Sequence, residues 1–144
     1  MRNSRRLLTA ATLTATLTAT LLAGGCGEDP LGPGNRMAVL AFGKCLHAQA
    51  LQLADNAIAT GSAENIYRGL ALKVAILRDL GDTVSAEALY PQLEQAWEAA
   101  EERTLTEYRR ERDIGLFIDV ARAERQVQGM NADCSDVPDV PVPE

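Results

Sequence analysis

From residue 35 to residue 128, apolar side chains return every three or four positions, interrupted by Gly, Pro and helix-capping residues. That period puts them on one face of an α-helix and fits a half-buried strand poorly. The chain is therefore expected to be all-α. Val39, Phe42, Leu46, Ala50, Leu53 and Ala57 mark a first helix, with Asn35 as its cap and Gly61 at its end. Ile66, Leu70, Val74 and Leu77 mark a second. Leu72, Ile76 and Leu80 lie off that stripe, so this helix should be the most buried.

The "GD" at 81–82 reads as a turn with Asp82 as the next cap. Leu89, Leu93, Ala96, Trp97 and Ala100 then form the inner face of a third helix. Pro91 has no N–H to donate, so that helix should kink near 87–91 or start afresh at Pro91. Tyr108, Ile114, Phe117, Ile118, Ala121 and Val127 mark a fourth. "TLTE", Thr104 to Glu107, matches a capping box, which separates the fourth helix from the third. An unbroken helix over 83–128 would be ~67 Å long and would carry its end far from Cys45. The expectation is an antiparallel four-helix up-down bundle over 35–134.

The flanks differ in kind. Residues 1–6 carry three arginines, and 7–23 are uncharged and rich in Leu, Ala and Thr. A basic start, an apolar run and small residues describe a signal peptide over 1–25. Six threonines dilute the run, which argues against a permanent span. Residues 26–34 read as a flexible tether of at most ~30 Å. Residues 135–144, with three prolines and three acids, read as a disordered, Pro-rich tail.

"AGGC" at 23–26 resembles a bacterial lipobox, with Ala23 where Leu is usual. The resemblance implies that Cys26 is lipidated and becomes the mature N-terminus. The protein would then be anchored by lipid to the outer face of a bacterial membrane. "SRRLL" at 4–8 resembles a twin-arginine export signal. Residues 63–97 resemble one tetratricopeptide-type helix pair, although no second copy follows and Pro91 falls inside it.

With Cys26 assigned to lipid, Cys45 and Cys134 remain as an even pair in an exported chain, and oxidising compartments permit such a pair to bridge. Loss of the leader removes Arg2, Arg5 and Arg6 and no acid. That takes 14 basic residues to 11 against 20 acidic ones, a net charge of −9. Nucleic acid and anionic bilayer faces both call for basic patches, so neither is an expected partner of the domain.

Motifs for chemistry are sparse. His47 is the single histidine, and Lys44 stands where a Glu-x-x-His metal pair would need a carboxylate. Met37, His47 and Met130 make a weak set of haem ligands, with no C-x-x-C-H beside them. Acidic residues between Glu98 and Asp113 alternate with Arg103, Arg109, Arg110 and Arg112, the pattern of intrahelical pairs on a solvated face. Serines lack a G-x-S-x-G setting. Catalytic, cofactor and metal residues are therefore expected to be none. The chain is expected to be no enzyme but a protein-binding or inhibitory adaptor module, its partners the lipid bilayer through Cys26 and an unidentified envelope protein. The alternative is a small-ligand or cofactor carrier using the bundle core.

Overall fold

The computed structural model describes residues 29–137, and these are helical with no strand. Six helices follow one another: α1 Pro33–Gly43, α2 His47–Thr60, α3 Ala63–Asp79, α4 Thr83–Ala88, α5 Tyr90–Glu101 and α6 Glu107–Val127. Among the described residues, no helix is long and apolar enough to cross a membrane.

The expected first helix is two helices. α1 ends at Gly43, and the chain doubles back through Lys44, Cys45 and Leu46 into α2. Cys45 adopts a left-handed φ of 61°. Its N–H donates to Phe42 O at 3.1 Å, and the Leu46 N–H donates to Ala41 O at 3.0 Å. This pair of bonds around a left-handed residue is a Schellman closure, which normally uses glycine. Gly81 (φ 79°) and Gly129 (φ 76°) close α3 and α6 with the same bond pattern.

α1 and α2 form a tight antiparallel pair because small residues line their seam. Ala38, Ala41, Ala50 and Ala54 are buried there. Gly34, at the start of α1, faces Ala57 near the end of α2, and a Cβ on Gly34 would sit 2.9 Å from that of Ala57. α3 runs back along α2, with Gly69 against Ile58 and Ala54. Tyr67 at the start of α3 meets Trp97 near the end of α5, ring centroids 4.8 Å apart, so α5 is antiparallel to α3. α6 follows the direction of α3: Asp113 lies by Tyr67 and Arg125 by Asp79.

The four-helix up-down bundle is thus replaced by five alternating rods, α4 and α5 forming one of them. The extra rod arises because the apolar stripe of 39–57 is folded in half. α3 packs against all five other helices, and its Leu70, Leu72, Val74 and Ile76 are buried. α5 and α6 make no close backbone approach and lean separately on α3.

Several boundaries differ from the sequence expectation. α1 starts at Pro33, inside the expected tether. Two others fall where the sequence puts them: Asp82 caps α4, accepting from the Ser85 N–H at 3.1 Å, and a break at Leu89 places Pro91 in the first turn of α5. Thr106, not Thr104, caps α6, its Oγ1 accepting from the Arg109 N–H at 3.2 Å. Tyr108 and Val127, expected on the inner face, are 77% and 83% exposed. They sit near the two ends of α6, beyond its packing against α3.

Candidate functional site

Cys45 and Cys134 are joined by a disulfide, with Cα atoms 5.7 Å apart and a sequence separation of 89. Cys45 lies in the α1–α2 turn rather than on a helix, and Cys134 also adopts a left-handed φ of 61°. The bridge ties the segment after α6 to the turn between α1 and α2. Cys26, the expected lipidation site, lies outside the described residues.

Beside the bridge is a buried ionic cluster. Arg125 of α6 is completely buried. Its guanidinium donates to Phe42 O at 3.0 Å and to Ala132 O at 2.6 Å. It also meets Asp79 Oδ2 at 2.8 Å, and the Asp79 side chain is only 2% exposed. The Phe42 ring lies under the guanidinium at 4.9 Å. One side chain therefore closes the carbonyl end of α1, balances a carboxylate at the end of α3 and holds the chain after α6.

Asp79 has two further partners. Arg122 reaches Oδ1 at 3.3 Å, and His47 Nε2, at the start of α2, is 3.3 Å from Oδ2. Burial disfavours the charged carboxylate, but His47, Arg125 and Arg122 outweigh it and hold Asp79 below the usual aspartate range.

His47, Asp79 and Cys134 bring potential metal-ligand atoms within 4.8 Å of one another. The donor set does not suit a cation. Cys134 Sγ is bonded to Cys45 and offers no thiolate, and Arg125 and Arg122 already supply positive charge to the carboxylate. With the histidine engaged and the thiols joined, the cluster is suited to holding chain segments together.

No protein-family model matches the chain, and neither does any curated protein or solved structure.

The charged stretch between α5 and α6 is more than a solvated face of intrahelical pairs. Arg78 of α3 meets Glu111 Oε2 at 2.6 Å, and Arg110 meets Glu94 Oε1 of α5 at 3.5 Å. Hydrogen bonding from Arg78, against the opposing effect of burial, holds Glu111 below its ordinary range. Arg78 and Arg110 both lie over the Tyr90 ring. Only the Arg109–Asp113 pair, at 2.7 Å, has the four-residue helical spacing in this stretch.

Sequence reasoning missed Arg125 and Asp79. Neither differs from neighbouring charged residues in local pattern, and Arg125 lies in a helix dense with arginines. The only available signal was position: Arg125 is one helical turn after Ala121, a residue on the expected inner face.

Proposed function

We propose that the chain is an exported bacterial lipoprotein, lipidated at Cys26, whose acidic helical domain is a protein-binding or inhibitory adaptor module rather than an enzyme. The observation that carries the reading is the "AGGC" boundary, where an apolar leader with a basic start meets a chain of net charge −9. Pairing of Cys45 with Cys134 supports it, since it leaves Cys26 as the one cysteine for lipid and suits an oxidising compartment. The five rods are an elaboration of an up-down bundle in which the first rod is folded in half. The carrier alternative has less support. Phe42, Leu72, Ile76, Leu93 and Ile114 fill the interior with fully buried side chains.

The test is Cys26→Ser followed by cell fractionation. The reading expects the wild-type chain in the membrane fraction and the variant released from it. Equal membrane association of both would overturn the lipid anchor. In-cell crosslinking of the wild-type chain should give one discrete heavier adduct, and its absence would count against the adaptor role.

A further inference from the structure

We propose that the cleft at the start of α6 binds a phosphate-type oxyanion, held by Arg103, Arg109 and Arg112 against Trp97. The cleft, ≈ 270 Å³ in volume, is lined by these three arginines, Trp97, Tyr108 and two threonines, with no carboxylate in its walls. This occurs on a chain of net charge −6. The guanidinium carbons of Arg103 and Arg109 lie 5.2 and 4.9 Å from the Trp97 ring centroid, so two like charges are gathered over one indole. Their carboxylate partners, Asp113 and Glu101, are not among the residues lining the cleft, so its walls present guanidinium groups to an anion.

The arginines are positioned from behind. Asp113 accepts from Arg109 Nε at 2.7 Å and from Arg112 Nε and a terminal nitrogen at 3.2 and 3.1 Å. The Tyr67 hydroxyl donates to the same carboxylate at 2.9 Å and fixes it. Arg109 thus spends its Nε on Asp113. Arg103 gives one terminal nitrogen to exposed Glu101, at 3.0 Å.

A second observation is independent of the arginines. Trp97 is 4% exposed, and its Nε1 is buried with no acceptor among the described residues. Buried donors are nearly always paired, so an orphan in the wall of a cationic cleft points to a missing acceptor. Guanidinium forks match phosphate oxygens, and the donors that Asp113 and Glu101 leave free suit an oxyanion with several acceptor oxygens better than a monocarboxylate. The ligand is therefore a phosphate or phosphate ester, free in solution or borne on an anionic lipid headgroup. This inference stands without the lipid anchor.

Trp97 is the sole tryptophan, so its fluorescence and its single indole N–H resonance report on this cleft alone. The purified full-length chain is titrated with inorganic phosphate, glycerol phosphate, phosphatidylglycerol vesicles and phosphatidylcholine vesicles, with acetate at matched ionic strength as control. Saturable shifts with phosphate or glycerol phosphate support a free ligand. Shifts with anionic vesicles alone support a headgroup. Arg103→Gln should weaken either response at least about tenfold while leaving the circular dichroism unchanged. Arg112→Gln is the second variant should the first misfold. No saturable shift, an equal response to acetate, or unchanged binding in both variants would overturn the proposal.

Discussion

Arg125 ties the end of α6 and the chain after it to α1 and α3. Breaking a buried ion pair by removing one partner costs about 3–5 kcal/mol, because the other charge is left without compensation. Arg122 and His47 remain beside Asp79, so Arg125→Met is expected at the lower end, about 3 kcal/mol, in urea denaturation. Asp79→Asn combined with Arg125→Met should cost less than the sum of the two single changes, since the two side chains touch. A second expectation follows from Asp79 itself. Its carboxyl is held below the ordinary value in the fold, so it contributes stability above the unfolded pKa of about 4. That contribution is lost as pH falls through the lower, folded value. Urea midpoints measured from pH 7 down to pH 2 should fall more steeply for wild type than for Asp79→Asn. Parallel curves would show that the cluster does not hold Asp79 ionised.

At the level of single helices, the caps separate two local signals that look alike. Thr104 and Thr106 both stand before α6, but only Thr106 accepts a bond from the helix, at Arg109 N. Thr106→Ala should cost about 1 kcal/mol, and Thr104→Ala should be close to neutral by thermal melting. Equal losses at both positions would mean that the helix starts earlier than Glu107. The seam of α1 and α2 can be tested in the same way. Gly34→Val forces a branched side chain against Ala57, where even a Cβ lies at 2.9 Å. Overpacking of this kind costs about 1–3 kcal/mol. By contrast, Gly81 has open space around it but a left-handed φ of 79°. Gly81→Ala should therefore cost only the conformational term, about 1 kcal/mol.

For the molecule as a whole, the disulfide is the longest-range constraint. It joins positions 89 residues apart, and a loop of that length is assigned about 4–5 kcal/mol in chain-entropy models. Against the ~5–15 kcal/mol of a small domain, that share is large. Reduction should lower the melting temperature markedly, and Cys134→Ser should do so to a similar extent. Thiol counting on the denatured, unreduced chain should find Cys45 and Cys134 unreactive. Two reactive thiols from that pair would remove the bridge, leaving the Arg125 cluster alone to hold the end of the chain.

Local chemistry sufficed for the helical class, for the turn at Gly81 and Asp82 and for the break before Pro91. Each depends on a property carried by the residue itself: glycine's freedom at positive φ, a carboxylate's reach to a free N–H, and proline's missing donor. The pairing of Cys45 with Cys134 could be argued by elimination. The reversal at Lys44–Leu46 could not be seen, because Phe42, Leu46 and Ala50 keep helical register across it. It exists because Cys45 takes the left-handed place usually given to glycine and because Gly34 and the alanines let α2 lie close on α1. The fate of Arg125 was equally hidden. In sequence it is one more arginine on a polar helix. Its burial is set by the carbonyl end of α1, the carboxylate of α3 and the returning chain, which only the tertiary fold brings to one point.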